Sequence, residues 1–381
     1  MESFGESLGA IVAPALDVCP AAGLVVGVHR RGRHRVYGFA PRAARDRIPD
    51  GESIYEIGSI TKVFTASLLA ALVAEGRIRL DDPVRKLLPE LSRFPPEITP
   101  RRLATHTSGL PRLPTDRRLV ISALKNPKNP YAVYTTDELL GWLANYTTPP
   151  SSDRVFEYSN LGAALLGHVC ARAAGSSFEE AVEQRICRPL GLRDTGVTVP
   201  ADKLARLAPP HNWRGEPASA WDLPAFVGAG ALRSTADDML RFLEANLDPA
   251  GSLPPLELCH DVQVADPSLA TSGILTELAR AYGFELAASA AAPSNEQLQA
   301  GRFRGALGWL RALDVDGHDI HWHNGATGGY RTFAAFSKRQ RVAVVVLANR
   351  GITMGDTAVD DIGFGVLRLT MVASPEFKAQ N

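Results

Sequence analysis

Ser59 and Lys62 lie three residues apart at the start of a helical pattern, and this pair is where the chain could do nucleophilic chemistry. Positions i and i+3 share a helix face, so the spacing predicts an ammonium beside the hydroxyl. Unpartnered N–H groups at a helix start, with the helix dipole, favour negative charge developing on Ser59. The structural alternative is a Ser N-cap and a solvated Lys. A second group is Glu157-Tyr158-Ser159-Asn160, at the mouth of an apolar helix. A phenol there can take a proton from Ser59 if a nearby cation favours its phenolate form. Its structural alternative is a half-buried Tyr followed by an Asn N-cap. A third is His323-Asn324-Gly325-Ala326, at a strand end. Glycine there lets substrate approach the backbone, and an edge N–H can complete an oxyanion hole with the Ser59 N–H.

Other chemistries have less support. His321 and His323 alternate onto one strand face, but no third residue has ligand spacing, so no metal is assigned. In the polar turn 103–111 the reading is structural: His106 fixes the loop by hydrogen bonds. There is no G-x-S-x-G elbow, Walker loop, H-E-x-x-H, or G-x-G-x-x-G after a strand. A Ser-His-Asp arrangement stays open, since nine His are available and none is singled out.

The elements that must position these groups follow from periodicity. Ile60, Val63, Phe64, Ser67, Leu68, Ala71 and Leu72 recur at three and four, predicting a helix that ends at Gly76. Further helices are expected over 4–17, 136–145, 160–174, 178–186, 234–246 and 357–372, with short pieces after Asp82-Pro83 and within 111–134. Strands are expected over 23–30, 34–39, 307–315, 318–323, 330–336 and 342–348, with turns at hairpin spacing. A short alternating run, 54–57, precedes Gly58. The basic run 29–35 straddles a Gly turn and reads as a solvated hairpin tip. The stretch 252–302 gives little signal. The expected fold class is α/β of the α+β type. One antiparallel sheet is flanked by the N- and C-terminal helices, with an all-helical lobe inserted. The expected division is 1–58 with 305–381 as the sheet lobe and 59–304 as the helical lobe, the active site lying between.

Bulk properties narrow the function. The chain has 381 residues, 45% hydrophobic, ample for a large core, and its 41 basic residues balance 41 acidic ones. Net charge therefore offers no case for nucleic acid or an anionic membrane. No run approaches the roughly 18 apolar residues of a membrane span. Cys19, Cys170, Cys187 and Cys259 lie far apart without zinc spacing, and Cys170 and Cys187 read as buried thiols. The N-terminus is acidic where a signal peptide would be basic, so the chain as given reads as cytoplasmic, and as periplasmic or secreted if a leader was removed. Oligomeric state has no signal.

Gly58-Ser59-Ile60-Thr61-Lys62, Tyr158-Ser159-Asn160 and His323-Asn324-Gly325, in this order, resemble the three motifs of serine β-lactamases and penicillin-binding proteins. Tyr-Ser-Asn is similar to the class C branch, which includes family VIII carboxylesterases and D-stereospecific peptidases. The segments 103–111, 228–232 and 234–239 resemble recurring parts of that branch. The resemblance implies a β-lactamase/transpeptidase-like fold, with no metal or organic cofactor. It implies Ser59 as the acylated nucleophile, Lys62 and Tyr158 sharing proton transfer, and Asn160 bonded to Lys62 or the substrate amide. His323, Asn324, Gly325 and Ala326 would bind substrate, with Ala326 N–H joining Ser59 N–H at the oxyanion. One departure matters: the family's usual third motif is Lys-Thr-Gly. Replacing that Lys by His removes a charge-assisted hydrogen bond to a substrate carboxylate, about 1.5–3 kcal/mol. The implied activity is hydrolysis of a small ester or D-amino-acid-type amide, with β-lactam turnover possible. The alternatives are a true β-lactamase and a penicillin-binding sensor that acylates without turnover.

Overall fold

A computed structural model describes residues 4–18, 22–41, 48–150, 156–261, 303–313, 318–351 and 357–372. Its strands are β1 (Leu24–Arg30), β2 (Arg33–Phe39), β3 (Tyr55–Glu56), β4 (Arg233–Ser234), β5 (Phe303–Gly305), β6 (Leu310–Leu313), β7 (Asp319–Ala326), β8 (Arg331–Ser337) and β9 (Val342–Ala348). The helices used below are α1 (Phe4–Val18), α2 (Thr61–Ala74), α3 (Arg117–Lys125), α4 (Thr136–Leu143), α5 (Asn160–Ala174), α6 (Ala236–Leu247) and α7 (Ala358–Met371).

Seven strands form one antiparallel sheet in the order β2-β1-β9-β8-β7-β6-β5, so both chain ends build it, as expected. β1, β8 and β9 are buried along their whole length. Their Val- and Ala-rich runs suit a sheet covered on both faces. On one face α1 and α7 pack over Phe333, Val344 and Trp322. On the other, α6 lies against β1, β8 and β9, and α2 and α5 continue the helical layer through a larger core. The run 54–57 does not join this sheet: β3 pairs with β4 instead and delivers the chain to Ser59. Three residues of β5 were too short to show alternation. Much of 252–302 lies outside the described residues.

The hairpin at 29–35 forms as expected, with positive φ at both Arg31 and Gly32, the two-residue turn that matches strand twist. It is not wholly solvated. His29 and Arg30 are buried, because alternation turns one toward α6 and sends the other to the carbonyls of Met371 and Val372. Among the described residues, no helix is long and apolar enough to cross a membrane.

Candidate active site

Gly58 carries the chain from β3 into a single 3-10 turn, Gly58–Ile60, and then into α2. Its φ is +50°, and a Cβ there would sit 2.6 Å from the Ala326 nitrogen. Only glycine lets the turn before Ser59 touch the end of β7. The structural alternative for Ser59 fails: α2 is preceded by Ile60 and has no side-chain cap bond. Instead Lys62 Nζ lies 2.8 Å from Ser59 Oγ and donates to the Ala229 carbonyl at 2.8 Å. Thr65 Oγ1 donates to the Gly228 carbonyl and Thr61 Oγ1 accepts from Leu232 N, so the first turns of α2 are fastened to 228–232.

Lys62 is 3% exposed. Burial, and then the Arg112 guanidinium, hold its ammonium well below the ordinary lysine value. An amine that gives up its proton this readily can accept one from a serine hydroxyl at hydrogen-bond distance. Tyr158 stands next to Lys62. Its ring lies with Lys62 Nζ 4.9 Å and Arg112 Cζ 5.6 Å from its centroid, and the His106 ring 4.4 Å away.

The loop before Arg112 and the start of α5 form one unit. His106 Nδ1 accepts from Ser159 N and its carbonyl from Glu157 N, while φ at His106 is +56°. That is the structural role expected for His106. Ser159 Oγ donates to the Pro111 carbonyl and accepts from Gly162 N. Ser159 is therefore the N-cap of α5, and Asn160 is its first helical residue. Asn160 lines the cleft beside Ser59, but it is not the partner of Lys62, whose second bond goes to Ala229.

The third motif splits across the sheet. His323 and Gly325 face the helical layer. Gly325 packs where any Cβ would strike the Ile57 carbonyl and Thr332 Oγ1. Asn324 turns the other way, continuing the alternation of Ile320 and Trp322, and its amide faces Asp360 of α7. The expectation that Asn324 binds substrate is thereby corrected: a one-residue step along a strand changes the face. Asp360 itself pairs with Arg331. His323 is buried and pushed down to about 3 by burial and then by Lys62. Its Nδ1 lies 2.6 Å from the Asn324 carbonyl, which can only accept, so Nε2 carries no proton. The position that would hold a lysine thus offers neither charge nor donor. His321 packs on Phe336 and His260, not on His323.

These elements border an open cleft lined by Ser59, Asn160, Ala229, Gly230, Ala326 and Thr327 on its reactive side. The opposite wall is Leu113, Tyr131, Trp221, Leu223 and Phe226. Sequence reasoning missed this wall and Arg112, because an aromatic in a loop has no period to betray what it faces. Trp221 is held at its backbone N–H by Glu56 and at its carbonyl by Arg233, from β3 and β4.

A half-exposed serine hydroxyl on a buried amine, at a helix start beside a strand end, is the arrangement of a serine hydrolase that works through acyl transfer. The chain belongs to the beta-lactamase family, whose model, described as "Beta-lactamase", matches residues 10–363. It is 26% identical to a beta-lactamase of Providencia stuartii over 352 residues, covering 90% of this chain and 86% of that one. It is 27% identical to the D-alanyl-D-alanine-carboxypeptidase/endopeptidase AmpH of Escherichia coli K12, covering 83% and 76%. The crystal structure of a class C beta-lactamase from Rhodobacter sphaeroides superimposes with a TM-score of 0.72 at 25% identity, covering 96% of this chain and 99% of that one. The antiparallel sheet with its helical layers is thus the class C fold.

Proposed function

We propose that the protein hydrolyses small esters or D-amino-acid-type amides with an apolar acyl group, through an acyl-enzyme at Ser59. The observation that carries this is the 2.8 Å contact between Ser59 Oγ and a buried Lys62. Neutral Lys62 takes the hydroxyl proton as Oγ attacks the carbonyl, and Tyr158 shares the transfer. The N–H groups of Ser59 and Ala326 hold the oxyanion. As the tetrahedral intermediate collapses, the bond to the alcohol or amine breaks and that group leaves with the proton. Water, activated by the same residues, then releases the acid. Asn160 meets the substrate from the cleft wall. The aromatic wall suits an apolar acyl group, and neutral His323 gives no anchor for a carboxylate. The relatives include a beta-lactamase and a D-alanyl-D-alanine-carboxypeptidase/endopeptidase, both names consistent with acyl transfer to water.

One observation favours a second reading, β-lactam hydrolysis. Arg112 is exposed, and its guanidinium stands over Tyr158 at the site, where it can meet a substrate carboxylate. Turnover of p-nitrophenyl butyrate and of a chromogenic cephalosporin, measured side by side, separates the two. The proposal expects the ester to have the higher kcat/KM. A cephalosporin preferred by tenfold or more makes the protein a β-lactamase. A single stoichiometric burst without steady state on both would make it a binding module.

A further inference from the structure

We propose that His29, His34 and Glu244 form a binding site for one divalent transition-metal ion of the zinc class, at the sheet edge away from Ser59. Among the described residues this is the one group of three or more His, Cys, Asp or Glu side chains close enough to share an ion, with ligand atoms all within 4.8 Å.

The backbone dictates the meeting. Gly27 on β1 has no side chain, and α6 settles so closely there that an added Cβ would lie 3.0 Å from Leu240 Cδ1. Two residues along the strand, the same face carries His29. One helical turn on from Leu240, the same face of α6 carries Glu244. The rises match, roughly 6.7 Å for two strand residues and 6 Å for four helical ones, so Glu244 reaches His29 as Leu240 reaches Gly27. His34 is the direct cross-strand partner of His29, and their ring centroids are 5.9 Å apart.

The buried member is His29, 3% exposed, whose Nε2 accepts from Gly32 N, so in the neutral ring the proton sits on Nδ1, which has no hydrogen-bond partner. The ring has one lone pair, so an ion at His29 takes the place of the Gly32 N–H, which lies on the exposed hairpin turn and can pass to water. Zinc bonds of about 2.0–2.1 Å place tetrahedral ligand atoms roughly 3.3 Å apart. His34 is exposed and Glu244 half-buried, so both can swing inward to that spacing while His29 stays fixed. Water would fill the fourth position. Two imidazoles and one carboxylate suit zinc, nickel or copper, whereas calcium and magnesium prefer oxygen ligands.

Titrating chelator-treated full-length protein with ZnCl2 alone, by calorimetry and by thermal unfolding, tests this. One zinc per chain should bind and raise the Tm. His34→Ala and Glu244→Gln, both at accessible positions, should fold normally, bind zinc at least roughly tenfold more weakly and lose the Tm rise. Absence of zinc binding overturns the proposal. So does binding unchanged in both variants, which would put the ion elsewhere, or calcium binding as tight as zinc.

Discussion

In the proposed mechanism Lys62 serves Ser59 because burial makes its charge expensive. Lys62→Arg keeps a cation but installs a group that stays protonated, so kcat on an ester should fall by about 10²–10⁴-fold, with circular dichroism unchanged. A loss of less than tenfold would mean the amine moves no proton. The pH profile carries a sign. In that mechanism the reactive form is the neutral amine, so the rate should rise with pH through the lowered value of Lys62 and then level off. Burial sets most of that lowering and Arg112 adds to it. Removing the added cation in Arg112→Ala raises Lys62 toward its ordinary value, so the acid limb should move to higher pH. A limb that stays in place, or moves down, contradicts this electrostatic account.

At the scale of elements, the site depends on the contact between the Ser59 turn and the end of β7. Gly58→Ala forces a Cβ into positive φ and onto the Ala326 nitrogen. It should cost about 1–3 kcal/mol in urea unfolding, and it should lower kcat more than it raises KM, since the oxyanion donors separate. Unchanged kcat would detach Ala326 from the chemistry. The helix α2 was legible because six apolar residues and Ser67 hold a period near 3.6 from Ile60 to Leu72. The cap of α5 was not. Ser159 and Asn160 are both good caps, and the Ser159 hydroxyl takes the role, accepting from Gly162 N while donating to the carbonyl of Pro111, 48 residues away. The facing of Asn324 was equally hidden, because a motif read as a string does not say which side of a strand each letter takes. His29 looked like surface in a run of arginines, yet α6 buries it.

For the whole molecule, a single antiparallel sheet drawn from both chain ends was legible in the strand-like runs there, but its strand order was not, and the aromatic wall arose from loops that no local pattern joins. The fold also buries imidazoles. Burial holds His321 at about 4, His323 at about 3 and His260 at about 2, each below the ordinary 6.5. Between those values and 6.5 the unfolded chain binds the extra proton, so stability is full above about pH 6.5 and falls as pH drops. Each group contributes about 1.4 kcal/mol per pH unit within that window. The carboxyls of Glu56 and Asp360, pushed up by burial, work in the opposite direction at lower pH. The Tm should therefore fall between pH 6.5 and 5, and His321→Gln should flatten that slope. A Tm that rises on acidification over this range would contradict the neutral buried imidazoles.

The acyl-enzyme is the centre of the account, and intact-mass spectrometry reads it directly. Protein mixed with excess p-nitrophenyl butyrate and acid-quenched within the first turnover should gain one butyryl group, located by peptide mapping on Ser59. The adduct should disappear when substrate runs out, and Ser59→Ala should show neither adduct nor turnover. An adduct on another residue, or Ser59→Ala hydrolysing the ester at the wild-type rate, would contradict it.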